Sequence, residues 1–379
     1  MNEKPFVFGV AASGVNFTDR EKETVRLLNN FMYGVNTILI SPRRWGKTSL
    51  VRKVAAEAKS EQLKIVYLDI FSCRSESEFY DAFATAVIRQ TATHWKEWID
   101  NAKHFLERLA PQINIGADPF SDFSISLGLR PETKSVDEIL NLPERIASER
   151  NIRIVVCLDE FQQIGEFPHS KNFQKKLRGI WQLQTHTSYC LFGSKQHLMN
   201  EIFTSRSQPF YKFGDALYLS KIPTDYWVKY IISRFQSSGK NISETYAENI
   251  CTMVSSQSSY VQQLSWLIWI HTDKSVTDES FRLGMEDLLA QNTALFERQT
   301  ENLSEYQYNF LLALADGIDS GFSKLEIRTK YRLGSSATIA AVKRALEKKE
   351  LIEKENGRLV LTDPIMGQWL LQRRLPTMM

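Results

Sequence analysis

Cysteine is scarce in this chain, and the few cysteines are far apart. None forms the C-x-x-C pair that zinc sites and redox motifs use. They are Cys73, Cys157, Cys190 and Cys251. Most lie in apolar runs, as the reduced, buried thiols of a cytosolic protein do. The sequence gives no sign of zinc or disulfide chemistry, and we expect a cytoplasmic protein.

Long hydrophobic runs are missing too. No stretch of about 18 uninterrupted apolar residues occurs, so no membrane span is expected. The first residues, Met1–Pro5, lack the apolar core of a signal peptide.

A strong excess of one charge is also absent. Lysine and arginine number 47 and aspartate and glutamate 44, a formal net charge of +3. Overall charge therefore gives no evidence for or against nucleic-acid binding, and any basic surface must be local.

The chain of 379 residues is longer than a single hydrophobic core usually accommodates, so two or three domains are expected.

The most informative stretch covers residues 38–50, Ile-Leu-Ile-Ser-Pro-Arg-Arg-Trp-Gly-Lys-Thr-Ser-Leu. Phosphate-binding loops follow the pattern G-x-x-x-x-G-K-[ST]. This chain matches it at Gly46, Lys47 and Thr48, while Ser41 stands where the first glycine is usual. Serine is compatible with the loop if its φ is negative.

The surroundings of this loop favour a nucleotide site over a chance match. The tripeptide alone is common. Residues 35–40 form a largely apolar, β-branched run, and residues 49–59 are helix-prone with one apolar face. Strand, loop and helix are the context that the motif requires.

Each part of the loop has an expected role. Its backbone N–H groups form an anion-binding nest, and the following helix N-terminus adds partial positive charge. Lys47 would reach the β- and γ-phosphates, and the Thr48 hydroxyl would hold Mg²⁺. Arg43 and Arg44 either contact phosphate or face solvent. The predicted nucleotide-binding residues of the loop are Ser41, Pro42, Arg43, Arg44, Trp45, Gly46, Lys47, Thr48 and Ser49.

A second motif ends another apolar run, residues 153–160, Arg-Ile-Val-Val-Cys-Leu-Asp-Glu. Five consecutive apolar residues predict a strand buried on both faces, as in parallel sheets. Asp159 and Glu160 follow at its carboxyl end, where open α/β sheets bind ligands. Asp159 would hold Mg²⁺ through water, and Glu160 would orient and deprotonate the attacking water. The bland alternative is an acidic pair at a strand end.

Further strands predict the rest of an α/β fold, a P-loop NTPase parallel sheet over residues 1–222. They cover 63–71, 188–192 and 217–222. Ser194, just after one of them, is a candidate γ-phosphate sensor or a plain turn serine.

Residues 112–129 alternate apolar and polar side chains around Asp118-Pro119, which predicts an inserted β-hairpin. It either packs on the core or has a function of its own. Residues 223–300 are mostly helical in pattern, with the size and position of a lid.

Residues 301–379 predict a winged helix-turn-helix domain. Three helical patterns and a hairpin turning at Asn356-Gly357 follow one another. They cover 306–315, 322–331, 335–349 and 351–361.

Eight basic and two acidic residues fall within Lys324–Lys349, a local charge of +6. The basic residues are Lys324, Arg328, Lys330, Arg332, Lys343, Arg344, Lys348 and Lys349. Contact with DNA phosphates is one interpretation. A solvated face on a protein-docking module is the other, so DNA and a protein partner both remain open.

With these motifs the chain resembles the archaeal-type ATPases, which belong to the signal-transduction (STAND) branch of the AAA+-like P-loop ATPases and have many bacterial members. The resemblance spans nearly the whole chain. It rests on Phe17–Glu21, Pro42–Leu50, Leu158–Gln162, Phe192–Ser194, Tyr260–Leu264, Asp363–Met366 and Trp369-Leu370. It implies an ATPase core, a lid and a winged helix, with ATP or ADP and Mg²⁺ as ligands. Adenine is then expected between Asp19-Arg20 and the lid turn near Tyr260.

One departure from the family concerns an arginine. In residues 208–214, where relatives often carry Tyr-Gly-Arg, that arginine is a candidate for γ-phosphate contact. Phe213 holds the aligned position here. Lys212 or Arg206 could substitute, but lysine lacks the planar fork that suits phosphate. The departure points to slow turnover.

The sequence thus predicts an ATP-driven switch that hydrolyses ATP with Mg²⁺ and moves a winged helix relative to the core. The alternative is a nucleotide-stabilised module that binds DNA or protein with negligible hydrolysis. A weaker third hypothesis is a loader or helicase-like motor, which needs an oligomer and an arginine from a second subunit.

Overall fold

The computed structural model describes residues 4–91, 113–115, 125–127, 133–355 and 357–374. The chain forms two compact units. The first, here called the nucleotide unit, is Ala11–Lys221. The second, the C-terminal unit, combines Ile222–Met379 with the first ten residues, Met1–Val10.

The nucleotide unit alternates strands and helices. Its strands are β1 (Thr37–Ile40), β2 (Leu63–Asp69), β3 (Ile113–Ile115), β4 (Ile125–Leu127), β5 (Arg153–Asp159), β6 (Thr187–Gly193) and β7 (Asp215–Tyr218). Its α-helices are α1 (Glu21–Tyr33), α2 (Lys47–Ala58), α3 (Glu76–Thr91), α4 (Thr133–Leu140), α5 (Leu142–Arg150), α6 (Ser170–Trp181) and α7 (Gln196–Thr204).

Five parallel strands of the described chain form one sheet in the order β2-β5-β6-β1-β7. The strands β1 and β6 are buried at every residue, and β5 at all but its first. Both faces of the sheet carry apolar clusters, one with α1 and α2 and the other with α3 to α7. The prediction of a parallel sheet, with the strand that ends at Asp159 buried on both faces, is confirmed.

The strand order positions the functional motifs. Because the strands are parallel, their carboxyl ends meet at one edge of the sheet. Ile40 at the end of β1 is in register with Gly193 at the end of β6, and β5 lies on the other side of β6. The segments after Ile40, Gly193 and Asp159 therefore emerge side by side.

The predicted hairpin insert is present as two paired strands. β3 and β4 are antiparallel, with Ile113 opposite Leu127 and Ile115 opposite Ile125. The rest of residues 112–129, including Asp118-Pro119, lies outside the described residues. Whether this hairpin has a function of its own stays an open prediction.

A carboxylate holds the entry to β6. Glu144 on α5 accepts hydrogen bonds from the backbone N–H groups of Thr185 (3.0 Å), His186 (3.0 Å) and Thr187 (2.8 Å). Burial alone would raise the pKa of the Glu144 carboxyl. The hydrogen bonds from Thr185 and His186 outweigh burial and hold the pKa below its usual value.

The variant Glu144→Gln should therefore lower the free energy of unfolding at pH 7 by about 1–3 kcal/mol. A depressed folded-state pKa stabilises the fold above the unfolded pKa of about 4.3, and this contribution disappears as the pH falls through the folded value. Urea titrations at pH 7 and pH 3.5 should show the difference from wild type shrinking. Glu149→Gln, an exposed change on the same helix, is the control. An equal loss of unfolding free energy at both pH values would contradict stabilisation by the charged Glu144 carboxylate.

The C-terminal unit is mostly helical. Its elements are α8 (Thr224–Ser237), α9 (Glu244–Met253), α10 (Ser258–His271), α11 (Asp278–Thr300), α12 (Glu305–Ala315), α13 (Leu325–Lys330), α14 (Ser336–Lys348), β8 (Ile352–Glu355), β9 (Arg358–Leu361) and α15 (Pro364–Arg374). The antiparallel pair β8 and β9 after three helices confirms the predicted winged helix. Gly357 in the turn has a left-handed φ of 80°. Asn356 lies outside the described residues.

Two features of this unit were not predicted. The first is α15, which packs on α12 and α11. The second is the amino-terminal segment. Phe6 is 1% exposed, with its ring against Tyr230 and Phe235, and Arg234 donates to the carbonyl of Pro5 at 2.7 Å.

The predicted lid and winged helix lie in the same compact unit. One apolar cluster runs through both, from Ile222 to Leu370. The predicted boundary at residue 300, where α11 ends, stays a prediction. No helix of the described chain is long and apolar enough to cross a membrane.

Candidate nucleotide site

The predicted phosphate-binding loop, residues 41–46, connects β1 to α2. Arg44 and Gly46 have left-handed φ values of 66° and 89°. Left-handed residues in a tight turn bring successive backbone N–H groups to one concave side, here at the amino terminus of α2. The loop therefore contains left-handed residues of the kind found in anion-binding turns.

Serine at the first position of the motif costs this backbone no strain. Ser41 is not among the residues with positive φ, as expected from the sequence. Its side chain is buried, and its hydroxyl donates to the carbonyl oxygen of Pro42 at 3.2 Å.

Lys47 is folded back over its own loop. Its side chain is 5% exposed, and its Nζ donates to the carbonyl oxygens of Ser41 and Pro42, both at 2.8 Å. Burial lowers the pKa of Lys47 to about 8, against the attraction of Glu160 and Asp159, which raises it. The ammonium group thus has carbonyl partners that phosphate oxygens can replace.

Asp159, at the end of β5, is tied to the first turn of α2. Its Oδ2 accepts hydrogen bonds from Thr48 Oγ1 at 3.0 Å and from the Tyr67 hydroxyl at 2.5 Å. Its Oδ1 accepts from the backbone N–H of Glu160 at 2.9 Å. Burial raises the pKa of the Asp159 carboxyl, while the hydrogen bonds from Tyr67 and Thr48 lower it.

The groups at this position fit a magnesium ion. Mg²⁺ prefers oxygen ligands and is usually held by one or two carboxylates, several waters and substrate phosphates. The Thr48 hydroxyl and the Asp159 carboxylate supply two such oxygens beside the phosphate-binding loop. No cluster of three or more His, Cys, Asp or Glu side chains suited to a metal occurs in the described part of the chain.

Glu160 is held through one carboxylate oxygen. Its Oε2 accepts from Ser194 Oγ at 2.9 Å, from Ser194 N at 3.4 Å and from Gln162 Nε2 at 2.5 Å. Arg43 Nε, from the phosphate-binding loop, donates to Ser194 Oγ at 3.2 Å. Glu160 itself has a left-handed φ of 55°, a conformation that is uncommon for glutamate and often occurs at functional sites.

The structure therefore brings most of the predicted site together. Residues of the loop, the end of β5 and the end of β6 form one continuous hydrogen-bond network at the carboxyl edge of the sheet. Ser49 also takes part in the local structure, because its hydroxyl accepts from the backbone N–H of Ala12 at 2.9 Å.

Arg20 connects the phosphate-binding loop to the segment after β7 through hydrogen bonds to backbone carbonyls. It is 3% exposed and donates to the carbonyl oxygens of Ser220 at 2.6 Å and Trp45 at 3.3 Å, and it pairs with Glu23 at 3.0 Å. Like Asp19, it has a left-handed backbone, with φ values of 78° and 58°. Contact of Asp19 and Arg20 with adenine stays a prediction.

Tyr260 belongs to the C-terminal unit. It is 2% exposed, and its hydroxyl donates to Asp363 Oδ2 at 2.6 Å. Two of the stretches on which the family resemblance rests thus meet within that unit. A role for Tyr260 in nucleotide binding stays a prediction.

The structure places Phe213 away from this chain's phosphate-binding loop. This residue precedes β7, which begins at Asp215 opposite Thr37, the first residue of β1. It therefore lies at the amino edge of the sheet, opposite the phosphate-binding loop. Its ring is buried, with the Arg178 guanidinium carbon 4.9 Å from the ring centroid. An arginine here would lie away from this chain's own phosphates, so Phe213 removes no phosphate contact within the chain.

The sequence did not reveal two residues of the site. They are Tyr67, which donates a hydrogen bond to Asp159, and Gln162, which donates one to Glu160. Gln162 falls inside the Leu158–Gln162 motif, so its presence there was a signal. Tyr67 gave none, because its contact with Asp159 depends on β2 lying next to β5.

Solved structures share this fold at low sequence identity. A Walker-type ATPase of Pyrococcus abyssi is similar with a TM-score of 0.66 and 17% identity, over 94% of this chain and 96% of that one. The ORC2 protein of Aeropyrum pernix, in ADPNP-ADP complexes, gives 0.57 and 14%, over 94% and 95%. Its ADP form gives 0.50 and 12%, over 95% and 97%. No curated protein matches the chain.

Family models match both parts of the sequence. Residues 294–372 match a probable winged helix domain. Residues 17–211, more than half of the chain, match an ATPase domain predominantly from Archaea. With its phosphate-binding loop, its Asp159-Glu160 strand end and its winged helix, the chain belongs to this family of ATPases.

Proposed function

We propose that this protein is a nucleotide-dependent switch that binds ATP with Mg²⁺ and hydrolyses it to ADP and phosphate. The observation that carries the proposal is the convergence of Lys47, Thr48–Asp159 and Glu160–Ser194 at one edge of the sheet. Family membership and the ADPNP and ADP complexes of the similar ORC2 protein support nucleotide as the ligand.

The loop and Lys47 would bind the triphosphate. The backbone N–H groups of residues 41–46 would donate to the phosphate oxygens, and Lys47 would exchange its two carbonyl partners for the β- and γ-phosphates. Thr48 and Asp159 would hold Mg²⁺, which when bound neutralises charge on the β- and γ-oxygens.

Glu160 would act as the general base. A base must reach the proton that it removes and be oriented by another group. Ser194 and Gln162 orient its carboxylate through Oε2. Glu160 would take the proton of a water that attacks the γ-phosphorus, and Ser194 with Arg43 would contact the γ-phosphate. After that phosphate is released, the hydrogen bond from Arg43 to Ser194 would form again. These two residues are therefore candidates for sensing whether the γ-phosphate is present.

The C-terminal unit would transmit the nucleotide state. Its helices and winged helix share one apolar cluster and the Tyr260–Asp363 hydrogen bond, so we expect them to respond together. DNA is the partner that the charge of Lys324–Lys349 favours, with a protein partner as the alternative. Of the eight basic residues, Arg328 donates to the carbonyl of Gly334, and Lys343 lies over Phe322. The exposed ones are Lys324, Lys330, Arg332, Arg344, Lys348 and Lys349.

The double variant Arg344→Ala/Lys348→Ala should weaken binding to duplex DNA of any sequence. Both residues are exposed on α14, and the slope of log affinity against log salt falls by about 0.9 for each DNA phosphate that the protein no longer neutralises. Fluorescence anisotropy between 50 and 200 mM salt measures both effects. Lys240→Ala, in the same unit, is the control, because its Nζ donates to the carbonyl of Trp269. If the slope of log affinity against log salt did not change, a protein would be the favoured partner of the winged helix.

Phosphate release by the purified protein tests the proposal itself. We expect turnover that requires Mg²⁺ and Glu160 and that changes when duplex DNA is added. Turnover that ignores DNA would favour a protein partner. Retained nucleotide with no phosphate release would identify a nucleotide-stabilised binding module and refute the hydrolytic switch.

A further inference from the structure

Gln162 makes a contact that no motif assigns to it. Its side chain is 2% exposed, and its Nε2 donates to Oε2 of Glu160 at 2.5 Å. An ionised carboxylate only accepts hydrogen bonds, so the amide must face Glu160 with its NH₂ group. The orientation of the amide is therefore fixed by chemistry.

The oxygen of the Gln162 amide packs closely against the backbone of β6. Gln162 Oε1 is buried and has no hydrogen-bond partner among the described residues. It lies against Gly193, where an added Cβ would be 1.8 Å from Oε1. Any larger residue at position 193 would displace the amide. The glycine before Ser194 thus provides the space that Gln162 occupies.

All described hydrogen bonds to the Glu160 carboxylate converge on one oxygen. Ser194 donates to Oε2 through Oγ and N, and Gln162 donates to the same atom. None of the hydrogen bonds in the described chain goes to Oε1 of Glu160. The carboxylate is anchored through one oxygen, and the other is available to a water.

We infer that Gln162 is a positioning residue for hydrolysis, which holds Glu160 so that its Oε1 faces the attacking water. The inference rests on the proposed function, because it assumes Glu160 as the base. Gln162 itself touches neither nucleotide nor water in this role. Its loss should affect the step that uses the water and spare nucleotide binding.

The test compares Gln162→Leu with Gln163→Leu. The neighbouring Gln163 is the matched control, since its side-chain amide donates to Glu166 Oε2 at 3.4 Å. We expect kcat to fall about 10- to 100-fold in Gln162→Leu, less than the loss of about 10²- to 10⁴-fold on removing a general base itself, with KM within twofold. Gln163→Leu should keep wild-type kcat.

Affinity for ADP with aluminium fluoride, a mimic of the phosphoryl group under attack by water, gives a readout without turnover. Calorimetry should show at least a tenfold loss for Gln162→Leu, while the Kd for ADP with Mg²⁺ changes less than twofold. Equal losses for both ligands would indicate a merely structural role and overturn the inference. So would a kcat equal to that of Gln163→Leu.

Gly193→Ala provides a second route if Gln162→Leu does not fold. The added Cβ displaces the Gln162 amide without removing it, and the same split between kcat and KM is expected. Glu160→Gln, measured in the same series, distinguishes the role of Glu160 as the base from the positioning role of Gln162. Undiminished turnover in Glu160→Gln would refute the assignment of Glu160 as the base in the proposed function, whereas loss of turnover there with none in Gln162→Leu and Gly193→Ala would refute the positioning role alone.

Discussion

Lys47→Ala should bind ATP about 100-fold more weakly than the wild type, or not at all. Truncating one partner of a buried, hydrogen-bonded charge pair typically costs about 2–5 kcal/mol, and each 1.4 kcal/mol is a factor of ten. Lys47 is the buried cation of the phosphate-binding loop, at 5% exposure. Equilibrium binding of a fluorescent ATP analogue measures the loss.

The pH dependence of binding provides an internal check. Burial lowers the pKa of Lys47 to about 8, and phosphate favours its charged form. Above pH 8 the free protein must take up a proton to bind, so wild-type affinity should fall by about tenfold between pH 8 and pH 9.5. The Lys47→Ala variant should lack this decline.

The linkage to stability has a definite sign. The folded-state pKa of Lys47 is depressed, so the folded protein binds fewer protons than the unfolded chain between pH 8 and the usual lysine value. Stability of the nucleotide-free protein should therefore rise with pH in this window. Because Lys47→Ala removes a buried charge, its melting temperature at pH 7 should not fall enough to explain weaker binding. Lys59→Ala, exposed just beyond α2, is the control, and undiminished binding in Lys47→Ala would refute the P-loop assignment.

The parts of the site that the sequence predicted are those with strong local signals. Gly46-Lys47-Thr48 follows a strand and begins a helix, and Asp159 and Glu160 end a run of buried residues. Both are local patterns, and parallel strands bring their carboxyl ends to one edge of the sheet. This rule predicted Thr48 and Asp159 at the same edge, although 111 positions separate them in the chain.

The missed parts depend on strand order and register. Tyr67 reaches Asp159 because β2 pairs with β5, with Tyr67 opposite Cys157 and Asp69 opposite Asp159. Side chains two residues apart on a strand share a face, so Tyr67 lies diagonally beside Asp159. Nothing in the local sequence states that these two strands are neighbours.

The position of Phe213 also depends on strand pairing. Comparison with relatives gave its position in the chain, and the phosphate contact was attached to that position. The start of β7 is in register with the start of β1, which sets Phe213 at the opposite edge of the sheet. A position in a motif does not reveal which end of a strand it occupies until the pairing is known.

Glu160→Gln should bind ATP and fail to hydrolyse it. The amide is close in size to the carboxylate, and its oxygen can still accept from Ser194 and Gln162, so the fold and the network should persist. It cannot take a proton from water at neutral pH. Removing a general base typically costs about 10²–10⁴ in rate, so kcat for phosphate release should fall by at least about 100-fold.

Two measurements separate the base from a general electrostatic effect. ATP affinity should stay within a few-fold, since Lys47, Thr48 and Asp159 keep their hydrogen bonds. Glu166→Gln removes a carboxylate of the same segment, one that pairs with Lys195 at 3.3 Å, and should keep wild-type turnover. If Glu166→Gln lowered activity as much as Glu160→Gln, negative charge near the site would matter more than its position. If Glu160→Gln kept wild-type turnover, the water would have another base, and the anchored carboxylate would serve to order Ser194 and Arg43 around the phosphates.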